Sequence, residues 1–293
     1  MCRLILGRAA STMCIFGSNE KKMAEKEPIG LRKGFAVAGA VLLCCIAMAP
    51  IFAQTSSRTI HVFVALADNQ NQGIIPVPAK LGNGEDPDHN LYWGAAFGVK
   101  TFFLQSAEWK LLACYQKPKS GVLERCVFKH RTQNVYLVTD AYEGSQIRQA
   151  TVDFLNATAG VNPEKISVTA GVNTIVLNGG GGADLVAYVG HDGLMDFQLA
   201  TYPEAKNQNH RDAIILACAS KPYFDAALRA SGAYPLLWTS NLMAPEAYTL
   251  KSAIDGWILN ESHEQIRERA AEAYHQYQKC SLAAARALLV SGW

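Results

Sequence analysis

The sequence predicts an α/β fold, a three-layer sandwich in which a mainly parallel sheet carries helices on both faces. Three observations point there. Several strand-type segments are predominantly apolar, "TIHVFVALAD" (59–68) and "AIILACAS" (213–220) among them, as in strands buried on both sides. Segments of helical periodicity alternate with them, the succession that builds parallel sheets. Finally, 293 residues with 49% hydrophobic and 18% charged side chains supply a core large enough to need both faces covered.

Residues 1–53 read as an N-terminal extension and secretory signal, and 54–293 as the folded domain. Lys26, Arg32 and Lys33 precede the apolar run "GFAVAGAVLLCCIAMAPIFA", after which "QTSS" turns polar; this is the order of an export signal. Cleavage is expected after Ala53. Residues 1–22 add nothing to such a signal, so Met23 is an alternative start. The rival reading is an uncleaved anchor that tethers the domain, because about 18 apolar residues nearly span a bilayer. Pro50 and the abrupt polar switch favour cleavage, and hence a secreted or periplasmic protein with no stable membrane anchor. Cys44 and Cys45 lack a lipoprotein context. Seven Lys/Arg and three Glu fall in the first 53 residues; of the totals of 27 and 25, the remainder keeps 20 basic and 22 acidic groups. A near-neutral body gives no electrostatic reason for a nucleic-acid partner.

The elements follow in order. The strand 59–68 ends at Asp68. The polar stretch 69–90 exceeds ordinary connections and is a candidate functional loop, although its acidic residues fit no EF-hand. "LYWGAAFGVKTFFLQS" (91–106) predicts a buried helix started by Asp88 or His89. A hairpin over 110–130 turns at Lys-Ser-Gly. Cys114 and Cys126 flank its tip, either as a disulfide or as two unpaired thiols. "NVYLVTDAYEG" (134–144) follows as a strand ending near Asp140. The helix 145–160 takes Ser145 as N-cap and Gly160 as stop. "NGGGGAD" (178–184) leads into a strand rather than a helix, so it reads as a flexible loop and not a phosphate cradle. Strands at 183–191, 212–219 and 233–240 complete the sheet. A last helix opens at Ser262 with Gln265 closing a capping box, and Cys280 is placed on it.

Two of these strands end in reactive residues. The first runs into Gly190-His191-Asp192-Gly193, and the second into Cys218. Ligands of parallel α/β sheets bind beyond the carboxyl ends of strands, and neighbouring strands lie about 4.8 Å apart. If the two strands are adjacent and parallel, His191 and Cys218 emerge together. His210 precedes the cysteine strand, roughly 25 Å from its far end at about 3.3 Å per residue, and is no partner. A turn histidine and a small buried cysteine are the bland alternatives. The chain has no Cys-x-x-Cys and no His-Glu-x-x-His, so neither a metal nor another cofactor is expected.

The succession "LVAYV-GH", spacer, "AIILA-C" resembles the caspase-like cysteine peptidases, and gingipain-type members most closely, over roughly residues 59–260. The resemblance implies a thiol protease, exported on the reading of residues 1–53 as a signal, a hydrolase whose His191–Cys218 dyad cuts peptide bonds in a peptide or protein substrate. It also implies an oxyanion hole of backbone N–H groups, here from Asp192 or Gly193. One departure stands out: the family has glycine directly after the histidine, where this chain has Asp192. An inward carboxylate would oppose the oxyanion, so Asp192 is expected to face outward or to hold His191. The alternative is an inactive caspase-like scaffold that binds peptides or partners in the cell envelope. For substrate binding, Asp68 or Asp140 at a strand end would favour Arg or Lys by charge pairing. By resemblance, Trp238, Thr239 and Ser240 would supply a wall and backbone hydrogen bonds to bound peptide.

Overall fold

The computed structural model describes residues 57–170, 173–206 and 211–293. The export segment 1–53, with Met23, Cys44, Cys45 and the cleavage site after Ala53, lies outside the described residues, as does His210. Among those described, no helix is long and apolar enough to cross a membrane.

An α/β architecture is built around a mixed, mostly parallel eight-stranded sheet. In chain order the strands and helices are β1 (Arg58–Ala65), α1 (Val99–Gln105), β2 (Trp109–Lys119), β3 (Val122–His130), β4 (Val135–Tyr142), α2 (Ile147–Thr158), β5 (Pro163–Ala170) and β6 (Asn173–Gly180). Then come β7 (Leu185–Val189), α3 (Gly193–Asp196), β8 (Asp212–Leu216), α4 (Ser220–Ser231), β9 (Tyr234–Thr239), α5 (Ala247–Ile258), α6 (His263–Gln278), α7 (Leu282–Leu288) and β10 (Leu289–Val290). The sheet runs β10-β9-β8-β7-β1-β4-β3-β2. From β9 to β4 every neighbour is parallel, whereas β10, β3 and β2 pair antiparallel.

Alternation along the central strands separates two cores. Ile60, Val62, Val64, Leu185, Ala187, Val189, Ile214 and Leu216 pack with α1, α5 and α6. Phe63, Ala65, Val186, Tyr188, Ala213 and Ile215 pack with α2 and α4. Both faces of these strands are therefore covered, which is why their sequences carry no polar side. A third cluster joins Val127 and Val138 to Ile166, Val168 and Leu177 of the β5–β6 hairpin.

Several expectations need correction. The helix predicted over 91–106 is confined to Val99–Gln105, and turns precede it. Glycines explain the delay: a Cβ on Gly94 would sit 2.1 Å from the Asp88 carbonyl oxygen, and one on Gly98 would sit 2.4 Å from Trp93 backbone. The N-cap position of the helix after β4 is Gln146, which makes no capping hydrogen bond, and not Ser145, whose hydroxyl donates to Glu143 at 2.6 Å. Part of the glycine-rich stretch belongs to β6, paired with β5 up to Gly180. Cys280 lies past the end of α6, which stops at Lys279 in the left-handed region (φ 55°).

The hairpin and the capping box stand as expected. Cys114 and Cys126 are opposite one another in β2 and β3 and are joined by a disulfide, with Cα atoms 4.1 Å apart. Ser262 accepts from Gln265 N, and the Gln265 side chain accepts from Ser262 N.

Candidate active site

Strands β7 and β8 are parallel neighbours with Val189 opposite Leu216. His191 and Cys218 each lie two residues beyond that pair, at equivalent positions on the carboxyl rim. The ladder persists one step further, Gly190 N donating to Leu216 O at 3.2 Å. Gly190 then turns the chain with φ 145°, and a Cβ there would stand 2.6 Å from the Ala65 carbonyl oxygen. Only glycine fits both demands. The glycine before the histidine is thus a tight exit between β7 and β1.

His191 is held at both ends. Its carbonyl accepts from the buried Tyr188 hydroxyl at 2.8 Å, and its Nε2 lies 2.8 Å from Asp196 Oδ2. The ring is 6% exposed. The same Asp196 oxygen accepts from Gly73 N at 2.9 Å. Asp196 is the residue that sequence reasoning missed. The only signal for it was an acid five positions after the histidine, in a segment with too few residues to reveal a helix.

Asp192 neither faces outward nor holds His191. It is fully buried and caps α3, Oδ1 accepting from Leu194 N at 2.9 Å. Its Oδ2 is buried without a hydrogen-bond partner among the described residues. Burial pushes this carboxyl up to about 7, and the nearby Asp196 charge adds to the rise, against the Leu194 and Met195 N–H groups. Gly193 starts the helix under tight packing: a Cβ would meet the Phe197 ring at 2.8 Å.

Cys218 occupies the turn between β8 and α4. The next residue, Ala219, is left-handed (φ 49°, ψ 34°), a conformation that costs about 1 kcal/mol for alanine. Thr239 clamps this turn: its hydroxyl donates to Ala217 O, and its Oγ1 accepts from Ser220 N at 3.0 Å. Ala219 N also donates to Asn241 O at 2.9 Å. The thiol is half-buried and engages Met243, donating to O at 3.5 Å and accepting from N at 3.4 Å. Burial pushes the Cys218 thiol up; the Met243 N–H opposes this and the Asp192 charge reinforces it.

The long connection after β1 reaches this rim from two sides. Gly73 touches Asp196, and the buried Tyr92 lies close enough to Cys218 for the thiolate charge, after burial, to raise its phenol. Asn90 pins the loop internally, bonding both backbone groups of Ala67 at 3.0 and 2.8 Å.

The expected substrate-binding residues are otherwise engaged. Asp68 closes its own turn, accepting from Gln70 N, Asn71 N and Asn71 Nδ2. Asp140 lies within β4, fully buried, in a two-pronged pair with Arg125 at 2.6 and 2.7 Å and beside His61 Nε2 at 3.2 Å. Burial alone would raise it; the Arg125 hydrogen bonds and the His61 and Arg125 charges outweigh burial and hold it well below the usual carboxylate range. Trp238 is core, its indole donating to Gly292 O at 3.1 Å. Thr239 forms the clamp above, and Ser240 N donates to Leu288 O at 2.9 Å. The edge expected to receive a peptide pairs instead with β10, Leu289 against Thr239 and Val290 against Trp238.

Two other features lie apart from the rim pair. A cavity of about 370 Å³ is lined by His61, Phe63, Lys119, Asp153, Asn162 and Glu164 among others, none of them a rim residue. Cys114, Glu124 and Cys126 cluster, but the two sulfurs are bonded together and Glu124 is held by Lys100 and the Trp93 indole. No ligand set is left there.

Neither a family model, nor a curated protein, nor a solved structure matches this chain.

Proposed function

We propose that the chain is an exported, caspase-like cysteine endopeptidase with His191 and Cys218 as its dyad. The observation that supports the reading is the register of β7 and β8, in which His191 and Cys218 each follow by two residues the paired Val189 and Leu216. The strand–turn–helix at Cys218 adds to it. Cys218 precedes the N-cap of α4, Ala219, on the side where the positive end of a helix dipole favours thiolate.

In the proposed reaction, His191 takes the Cys218 proton and the sulfur attacks the scissile carbonyl carbon. The tetrahedral oxyanion is stabilised by backbone N–H groups, each worth about 3 kcal/mol in comparable sites. The imidazolium returns its proton to the departing amine as the C–N bond breaks, leaving a thioester. Water then attacks with its proton passing to His191, the acid leaves, and the proton restores the thiol. The disulfide of the hairpin agrees with an oxidising compartment.

A specific observation favours a second reading, a peptide-binding scaffold without turnover. In the resting arrangement the thiol is paired with Met243 backbone and raised by burial. Labelling with an electrophilic thiol probe separates the two. The peptidase reading expects Cys218 to be the labelled residue, with labelling strongly reduced in His191→Ala. Slow labelling that is indifferent to residue 191 overturns it.

A further inference from the structure

The geometry points to Asp196 as the positioning residue of His191, fixed in its turn by the backbone of Gly73; this rests on the dyad reading. One carboxylate oxygen, Asp196 Oδ2, receives both His191 Nε2 at 2.8 Å and Gly73 N–H at 2.9 Å. An ionised carboxylate only accepts, so Nε2 carries the ring proton and Nδ1 keeps its lone pair. Among the described residues Nδ1 makes no hydrogen bond. The free nitrogen is therefore the basic one, which is the state a proton acceptor needs.

Burial makes the arrangement selective. The ring is 6% exposed, while the Asp196 side chain is 30% exposed. The His191 carbonyl is tied to Tyr188, which fixes the backbone, and the imidazole cannot turn over without giving up the Asp196 bond inside the protein. When Nδ1 takes the Cys218 proton, the sulfur becomes thiolate and the ring becomes imidazolium, and no other atom changes protonation. The new positive charge then faces Asp196 directly. The carboxylate keeps its charge throughout and acts by orientation and attraction.

Gly73 completes the device. A Cβ there would lie 2.5 Å from Asp196 Oδ1, so a side chain would crowd the carboxylate that meets His191 and force it to shift. The loop after β1 thereby bears on the histidine of β7 without touching it. The other titratable groups that interact with Asp196 are Asp192 and Tyr188.

The test compares the unaltered protein with His191→Ala, Asp196→Ala, Asp196→Asn and Gly73→Ala, using two readouts. One is the pH profile of Cys218 alkylation by iodoacetamide. The other is the nitrogen chemical shift of the His191 ring, which reports its tautomer. Asp196→Ala should mix the tautomers and slow alkylation near neutral pH at least tenfold, towards the His191→Ala rate. Asp196→Asn should keep the tautomer, because the amide oxygen still accepts, yet slow alkylation, because a neutral amide no longer attracts the imidazolium. Gly73→Ala should give a smaller loss of the same kind, and it reports on the contact even if an Asp196 variant folds poorly. If His191→Ala slows alkylation while the Asp196 variants change neither readout, the positioning role is overturned and the dyad stands. If alkylation ignores His191→Ala as well, the dyad reading falls and the positioning role falls with it.

Discussion

Gly190 meets the carbonyl of Ala65 so closely that β7 and β1 leave no room for a single methyl group between them at the rim. The added Cβ would be 2.6 Å from that oxygen, at a backbone φ of 145°. Gly190→Ala is expected to destabilise the fold by about 2–3 kcal/mol and to displace His191. Urea denaturation measures the first effect. Loss of Cys218 labelling under conditions where the variant remains folded measures the second.

Asp192 makes stability fall with rising pH in a range where most proteins are indifferent. Its folded value, about 7, lies above the ordinary carboxyl value, so the folded state holds a proton that the unfolded chain has released. The stabilisation is complete below the unfolded value of about 3.9 and is lost as pH rises through 7, with a slope of at most about 1.4 kcal/mol per pH unit. Denaturation midpoints between pH 4.5 and 8 should show this decline, and Asp192→Asn should flatten it. An equally steep decline in the variant contradicts the assignment.

Arg125 and Asp140 should prove strongly interdependent. Removing the cation in Arg125→Met deprives a fully buried carboxylate of its two-pronged partner and leaves only His61 and Lys119 beside it, with an expected loss of about 3 kcal/mol. The double variant Arg125→Met with Asp140→Leu should lose less than the sum of the single changes. A thermodynamic double-mutant cycle checks this, and additive losses would deny the coupling.

The Cys114–Cys126 bridge closes a short hairpin at a sequence separation of 12. Changing both to serine should cost about 2–4 kcal/mol and leave Cys218 labelling as it was. A change in labelling would show that the hairpin communicates with the rim.

The elements that were legible in the sequence are those whose burial is uniform. The runs around Ile60, Val186 and Ile214 read as strands because both faces meet helices. The Ser262–Gln265 box read as a helix start because the capping chemistry is local. What escaped depends on contacts between distant segments. Gly94 and Gly98 looked like tolerable helix residues until the approach of Asp88 and Trp93 backbone is known. The β5–β6 pair was hidden because its glycines resemble a loop, while its apolar side chains serve a separate small cluster. Asp140 looked like a strand-end acid, but its partner comes from the neighbouring antiparallel strand. Asp196 had no local pattern at all, since it reaches His191 only through the turn that Gly193 begins.

The strand order also bears on how the chain is made. Once β1 has found β4, the strands after the separate β5–β6 pair each join the border last created, β7 on β1, then β8, β9 and β10 in turn. A ribosome releases these segments in that same sequence, so the sheet is able to grow without waiting for a distant partner or threading a strand between two already paired. The exception is β1 itself, whose second flank stays bare until β7 emerges more than a hundred residues later. Through that interval the apolar side chains of β1 are the surface most in need of a chaperone's cover.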